Sequence, residues 1–145
     1  MTTGLPGKDS LLAACRGFPN FLGHPMLDAA GELAVLHQAR ECTPYRDLGS
    51  IDWPRVEAMR NIDDWARWAI PVPFASAQTH THTMGQVVDQ LAQQTVQTFI
   101  ALAAAPDGVF QDAFAQLNEL ADAYEDLVHE LARGTRRLPQ LLCPW

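Results

Sequence analysis

The apolar residues between positions 79 and 134 recur in alternating steps of four and three. This spacing brings side chains onto one face of an α-helix, and it occurs on both sides of a break at residues 104–108, Ala-Ala-Pro-Asp-Gly. Two long helices with so short a connection pack antiparallel. We therefore predict a helical hairpin whose facing positions, the hairpin seam, are Met84, Val88, Leu91, Thr95, Thr98 and Leu102 on one helix and Phe110, Phe114, Leu117, Ala121, Tyr124, Val128 and Leu131 on the other.

Local signals mark both ends of this hairpin. Thr83 and Gln86 have the spacing of a capping box, in which each side chain accepts a hydrogen bond from the backbone N–H of the other residue. Gly134 suits the left-handed conformation that commonly ends a helix. The tail that follows, residues 135–145, contains Pro139 and Pro144 and is predicted to be irregular.

Three further helices, each bounded by a capping residue or a proline, are predicted ahead of the hairpin. Asp9 or Ser10 can cap the first, which is short, and Asp52 can cap the third. Their ranges are residues 11–16, 25–42 and 52–70. The expected fold class is all-α, with residues 1–145 forming a single four-helix-bundle-like domain that has a short N-terminal helix. The bundle spans residues 8–134, and residues 135–145 form an irregular C-terminal tail.

The second of these helices carries two polar residues, His37 and Arg40, on the face expected to point inward. An unpaired buried arginine is costly, so Arg40 needs an acidic partner or an anionic ligand. In a structural interpretation, Arg40 extends toward solvent with its stem over apolar surface, and His37 is a core histidine. In a functional interpretation, His37 is an acid–base catalyst and Arg40 binds a carboxylate or phosphate.

Other residues are expected to complete a pocket with this pair. Asn61 and Trp65 occupy the expected inner face of the third helix, and Tyr124 lies in the hairpin seam. We interpret all three as candidate binding residues. Thr95 and Thr98 either bond to nearby backbone carbonyls or line the same pocket.

His80 and His82 precede the first helix of the hairpin. Free N–H groups and the positive end of the helix dipole favour an anion there and disfavour a charged imidazole. The functional interpretation is a neutral His80 that acts as a base at the mouth of the pocket, with His82 as a binding residue. The alternative is a capping loop with ordinary exposed histidines.

Composition and charge exclude several classes of function. The net charge is −7 and Lys8 is the one lysine, whereas a protein that binds duplex nucleic acid needs clustered Lys and Arg. No apolar run approaches the roughly 20 residues of a membrane span, and the N-terminus lacks the form of a secretory signal. We therefore expect a cytoplasmic protein with no nucleic-acid or membrane partner.

The sequence offers little for a metal site. The three cysteines are far apart and fit neither a metal motif nor a disulfide framework. A di-iron bundle needs two glutamates and two Glu-x-x-His motifs, whereas this chain has only Asp126-Leu-Val-His129, on the acidic outer face of the final helix. We expect no metal and no other cofactor, and a solvated acidic face, with docking of a basic partner as the alternative.

Several stretches together resemble a known family. They are Glu-Leu-Ala-Val-Leu-His-Gln-Ala-Arg at 32–40, Asn-Ile-Asp-Asp-Trp at 61–65, His-Thr-His-Thr-Met-Gly at 80–85 with Val-Val-Asp-Gln-Leu at 87–91, and the ending at 134–139. The pattern resembles small, mostly actinobacterial helical proteins known only as a domain of unknown function. The resemblance covers about residues 8–139 and implies an all-helical fold and a cytoplasmic location, but no catalytic residues.

Two functions of different classes follow. The first is cofactor-independent acid–base modification, or binding, of an anionic small molecule or peptide in secondary metabolism. It takes place in a pocket around His37, Arg40, Asn61 and Tyr124, with His80 at its mouth. The second is a non-catalytic helical module that forms a homodimer or docks a partner through the hairpin and the tail.

Overall fold

A computed structural model describes residues 4–18, 23–104 and 106–140. Within these ranges the chain forms α1 (Lys8–Cys15), α2 (Pro25–Glu41), α3 (Gly49–Ala69), α4 (Met84–Ala104), α5 (Asp107–Arg133), a 3-10 turn at Tyr45–Asp47, and two short strands, β1 (Gln78–Thr79) and β2 (Arg136–Arg137). The predicted all-α fold, with a short helix ahead of four long ones, is confirmed.

Two predicted helix starts are wrong by about one turn. The residue that caps α1 is Gly7, so Asp9 and Ser10 lie inside the helix and do not cap it. α3 begins ahead of Asp52, because the 3-10 turn leads directly into it and the Asp52 N–H already donates to the Leu48 carbonyl at 2.9 Å. Local capping signals therefore located these helices without fixing their first residues.

The helices are arranged around α4. This helix packs against each of the other four, whereas α5 packs against α1 and α4 but not against α2 or α3 over the described residues. The central position of α4 explains its composition, since Asp89 is its one charged residue and most of its length is apolar or uncharged. α3 and α5 thus lie on different sides of α4 and leave a gap between them.

The hairpin seam is confirmed over most of its length. The side chains from Met84 to Thr98 on α4 and from Leu117 to Leu131 on α5 are buried at the predicted positions. At the end near the connection, however, Leu102 is 57% exposed and Phe114 is 43% exposed, so their predicted burial is wrong. Their exposure means that no described part of the chain covers this end of the hairpin.

The two polar positions within the seam are satisfied locally. The Oγ1 atoms of Thr95 and Thr98 each donate to the carbonyl four residues earlier, at 2.8 Å. The first of the two sequence-based alternatives, bonding to backbone carbonyls, is therefore the one observed. These threonines need no ligand to satisfy their hydroxyl groups.

A close approach between α3 and α4 depends on Gly85. A Cβ atom built on Gly85 would overlap the backbone carbonyl of Met59. The glycine thus lets the first turn of α4 lie against the backbone of α3, with Met59 buried between them. This contact turns one side of α3 toward α4.

The segments on either side of the hairpin are joined by a small parallel sheet. Gln78 pairs with Arg136 and Thr79 with Arg137. Gly134, at a φ of 76°, ends α5 as predicted, and the chain then turns back toward the start of α4. Leu138 packs against the core from this tail, while residues 141–145 lie outside the described part of the chain.

Candidate functional site

His37 belongs to a hydrogen-bonded network of side chains that begins in the core. The residue is 5% exposed, and its Nε2 atom lies 2.7 Å from Oδ1 of Asp89 on α4. The same oxygen accepts a hydrogen bond from Nε of Arg55 on α3 at 3.1 Å. The inward orientation predicted for His37 is confirmed, and its partner comes from another helix.

The network continues to Arg40. Arg55 Nη1 donates to Asp52 Oδ1 at 3.0 Å, and Arg40 Nε donates to the same oxygen at 3.3 Å. The Arg40 side chain is 41% exposed, so it reaches solvent. Its carboxylate partner, Asp52, belongs to another helix, α3. This arrangement is the structural interpretation of Arg40, and it leaves no buried charge there that requires a ligand.

The sequence interpretation missed Asp52, Arg55 and Asp89 as partners in this network. The sequence indicates Asp52 only as a helix cap, and Asp89 lies next to the seam position Val88. One signal was available: Asp89 is the single charge on an otherwise uncharged helix, and such a residue is rarely buried without a partner.

The pocket predicted around these residues is not formed. Asn61 is exposed, so its predicted inward orientation is wrong. Trp65 is half-buried and contacts the ring of His24, with 4.9 Å between the centroids. Tyr124 is buried and donates its hydroxyl to the Pro6 carbonyl at 2.7 Å. Because α5 does not pack against α2 or α3 over the described residues, Tyr124 does not join the others.

Burial accounts for the ionisation of Tyr124. The residue lies among the core side chains of α5, and desolvation there raises the pKa of its phenol above the ordinary value of 10.0. The hydroxyl therefore stays protonated at neutral pH and acts as a hydrogen-bond donor to Pro6, which ties the start of α1 to α5.

His80 and His82 lie just ahead of α4, beside the small sheet. The backbone N–H of His80 donates to the Arg137 carbonyl at 2.7 Å. Partial burial lowers the pKa of the His80 imidazole below 6.5, and the nearby charges of His82 and Arg136 lower it further. These effects favour the neutral imidazole of His80, while His82 is exposed.

The N-terminus of α4, where an anion was expected, is occupied by groups of the protein itself. Oδ1 of Asp63 accepts the Gly85 N–H at 2.7 Å. Thr83 and Gln86 form the predicted capping box, with hydrogen bonds of 3.0 and 3.2 Å. Burial raises the pKa of Asp63, although the bond from Gly85 opposes this shift. Groups of the protein therefore already satisfy the N–H groups of Gly85 and Gln86 at this helix end.

A cavity of about 670 Å³ fills the gap between α3 and α5 at this end of α4. Its apolar lining comes from all three helices and the tail, including Ala66, Ile70, Met84, Leu131 and Leu138. The volume lies within the roughly 300–1,000 Å³ typical of small-molecule sites. The cavity exists because α3 and α5 diverge on either side of α4.

Three arginines, Arg67, Arg136 and Arg137, line this cavity, together with one carboxylate, Asp63. Arg136 is committed to Glu130, with an Nε to Oε2 distance of 2.7 Å, and this ion pair lowers the pKa of Glu130. The guanidinium of Arg67 is exposed and lies 3.8 Å from Asp64.

Arg137 is the least compensated of the three. The residue is half-buried, and its Nη2 atom donates to the Phe74 carbonyl at 2.9 Å. Among the described residues, no ion pair joins Arg137 to a carboxylate. A cation at the wall of an apolar cavity thus retains guanidinium donors for a further partner.

The remaining candidates concern metals and membranes. Asp126 and His129 are exposed on α5, on the outer face where the sequence placed them. The described residues contain no group of three or more His, Cys, Asp or Glu side chains with the geometry to hold a metal ion. None of the helices within the described ranges is long and apolar enough to cross a membrane.

Comparison with protein-family models, curated proteins and solved structures gave no match for this chain. The resemblance to the actinobacterial family therefore stays a prediction, and the function must be argued from the geometry.

Proposed function

We propose that this protein binds an anionic small molecule or peptide in the cavity between α3 and α5. The observation that carries the proposal is Arg137, a half-buried arginine on the cavity wall that has a carbonyl partner but no carboxylate partner among the described residues. A half-buried cation gains most from an anionic partner, because its own desolvation is then compensated.

The charge of the lining favours an anion over a cation. Asp63 is directed to the start of α4, where it accepts the Gly85 N–H, so it offers little to a cationic ligand. Arg136 is engaged by Glu130, which leaves Arg137 and the exposed Arg67 as the available groups. A guanidinium presents paired donors that match a carboxylate or a phosphate.

The apolar lining adds a second requirement for the ligand. Side chains such as Ile70, Met84 and Leu131 offer contact area but no hydrogen bonds. A ligand that fits therefore has an apolar body and one anionic group, for example an aryl or alkyl carboxylate or a peptide end with an apolar side chain. The proposal concerns binding, and the catalytic roles of His37 and His80 stay predictions that binding does not require.

Calorimetric titration with matched ligand pairs tests the proposal. Each pair consists of an aryl or alkyl carboxylate and the corresponding neutral amide, and we expect the carboxylate to bind and the amide to bind at least several-fold more weakly. Arg137→Gln should weaken carboxylate binding roughly 10- to 100-fold, the loss expected for hydrogen bonds to a charged group. Arg67→Gln, at an exposed position, should cause a smaller loss in the same direction.

The matched control is Arg46→Gln. Arg46 is exposed on the 3-10 turn and does not line the cavity. Arg46→Gln therefore changes the net charge as Arg137→Gln does but leaves the lining of the cavity unchanged. Equal weakening by Arg46→Gln and Arg137→Gln would indicate a general charge effect and would contradict the proposal. A panel in which carboxylates and amides bind equally well would contradict it as well.

A further inference from the structure

The end of the hairpin that is remote from the cavity carries a large exposed apolar surface. It consists of residues from the last turns of α4 and the first turns of α5, here called the tip surface: Phe99, Ile100, Leu102, Val109 and Phe114. Their exposed fractions lie between 39% and 57%. Large exposed apolar surfaces mark interaction sites on soluble proteins.

The tip surface extends around α4. Successive helical residues are rotated by about 100°, so Phe99, Ile100 and Leu102 project in different directions, while Ala101 between them is buried. A helix that is apolar on most sides is normally enclosed by other elements. Over the described residues, the last buried position of α4 is Ala101, and the residues on either side of it are exposed.

The tip surface also continues the hairpin seam. Leu102 and Phe114 occupy seam positions by sequence, with the same steps of three and four as the buried residues before Leu102 and after Phe114. The rings of Phe110 and Phe114 contact each other, with 5.9 Å between their centroids. The seam therefore runs past the point at which α1 and α2 cover it, and a further pair of helices could continue its packing.

An apolar groove adjoins the tip surface. It has a volume of about 490 Å³ and lies between α2 and α4 beside the end of α1. Its walls include Ala34, Val35, Val96, Phe99 and Ile100, and Arg16 and Gln38 are its polar members. A groove of this size accepts an aromatic side chain from a partner. In a twofold-symmetric pair the same patch is used on both copies, so a tip with projecting phenylalanines and an adjacent groove suits such an arrangement.

The distribution of charge decides which partner this surface fits. Residues 96–104 contain no charged side chain, and the first turns of α5 add only Asp107 and Asp112. A basic partner would find few carboxylates here, although the rest of the chain is strongly acidic. Homodimer interfaces, in contrast, are apolar and depleted in charge at their centres.

We infer that the tip surface is a homodimer interface, in which a second copy of this chain covers the exposed end of the hairpin. The interface lies at the opposite end of α4 from the cavity, so each copy keeps its cavity accessible. The inference is independent of the proposed ligand binding, and either can fail without the other.

Measurement of molecular mass by light scattering and sedimentation equilibrium tests the inference. The full chain should have twice the 16.0 kDa of one copy at high concentration. Leu102→Glu and Val109→Glu place a charge in the interface and should each raise the dissociation constant by about tenfold or more. Both residues are more than half exposed, so the variants should keep the wild-type circular dichroism and melting behaviour.

Trp68→Glu is the matched control. Trp68 is a 91% exposed apolar residue on α3, outside the tip surface, and this variant should dimerise like the wild type. A wild-type chain that stays monomeric at every concentration would overturn the inference. So would tip variants that dimerise as well as the wild type, or a loss of dimer in Trp68→Glu alone.

Salt dependence gives a second readout. Two copies that each carry a net charge of −7 repel one another, and added salt screens this repulsion. Dimerisation through an uncharged tip should therefore strengthen as the salt concentration rises. Weakening of the dimer by salt would indicate that ion pairs, and not the apolar side chains of the tip surface, dominate the interface, and would overturn the inference.

Discussion

The Nε2 atom of His37 lies 2.7 Å from Oδ1 of Asp89, and both residues are buried. The same carboxylate oxygen accepts a hydrogen bond from Arg55, so one acid of α4 holds donors from both α2 and α3. Three helices thus meet at a single carboxylate. The pair fixes the relative position of α2 and α4. His37 therefore has a structural role, whether or not it also acts as an acid–base catalyst.

Removal of this carboxylate should destabilise the fold strongly. Asp89→Ala leaves His37 and Arg55 without their shared acceptor, and we expect the free energy of unfolding to fall by about 3–5 kcal/mol, the range for breaking a buried pair from one side. Urea denaturation followed by circular dichroism measures this loss. Asp122→Ala is the control, because it removes an aspartate whose partner, Lys8, is exposed. Similar losses in the two variants would show that Asp89 is no more important than a surface acid.

Gly85 should be intolerant of the smallest substitution. Gly85→Ala introduces a Cβ that overlaps the Met59 carbonyl, so α3 and α4 must move apart, at a cost of about 1–3 kcal/mol. Gly49→Ala is the matched control, since nothing lies within 4 Å of the added atom and its helix should be unaffected or slightly more stable. The measurement is the thermal melting of both variants, and an unchanged melting temperature in Gly85→Ala would contradict the close approach.

His80 should make stability depend on pH near neutrality. Its pKa in the folded state is lowered below 6.5, so the unfolded chain binds a proton more readily than the folded one. The contribution of His80 to stability is therefore constant above pH 6.5 and becomes less favourable as the pH falls through 6.5 toward the folded-state pKa.

The test compares urea midpoints of the wild type and His80→Gln over this pH range. The stability of the wild type relative to His80→Gln should decrease on acidification. His80→Asn serves as a second variant and should behave like His80→Gln, because neither amide side chain titrates in this range. Parallel pH profiles for the wild type and His80→Gln would exclude this role for His80.

The features that the sequence predicted correctly depend on neighbouring residues. The capping box of Thr83 and Gln86 and the stop at Gly134 involve groups within a few positions of one another, and both are observed. Seam burial between Met84 and Thr98 follows from helical spacing in the same way. Such local patterns were sufficient for the helices and for the order in which they occur.

The wrong predictions concern side-chain orientations and hydrogen-bond partners that depend on how the helices pack against one another. On α3, the buried residues include Met59, Ile62 and Ala66, so the inner face is rotated away from Asn61 toward Met59. The approach allowed by Gly85 on a different helix is responsible, and the sequence of α3 contains no sign of it. The partners of His37 and Arg40 were likewise hidden, since each lies on another helix.

The cavity could not be predicted from periodicity either. It exists because α3 and α5 lie on different sides of α4, and because the small sheet brings Arg136 and Arg137 back to the start of that helix. Neither relation leaves a repeating pattern in the sequence. The basic character of this site was also obscured by the net charge of −7 of the whole chain.

The two ends of the hairpin seam should respond differently to truncation. Leu117 is 2% exposed, and Leu117→Ala should cost about 2–5 kcal/mol, as for other large buried apolar residues. Phe114 has the same role in the sequence pattern but is partly exposed, so Phe114→Ala should cost roughly half as much or less in the monomer.

Phe114 can stabilise the protein by packing within one copy or by packing against a second copy, and the dependence of stability on protein concentration distinguishes the two. If a second copy covers the tip surface, binding stabilises the folded state by mass action, so the wild-type denaturation midpoint should rise with protein concentration. Phe114→Ala should then reduce this rise, because it removes an aromatic side chain from the interface, whereas Leu117→Ala should lower the midpoint by a similar amount at every concentration. A large loss in Phe114→Ala that does not vary with concentration would mean that Phe114 is buried within one copy, as the sequence pattern alone suggests.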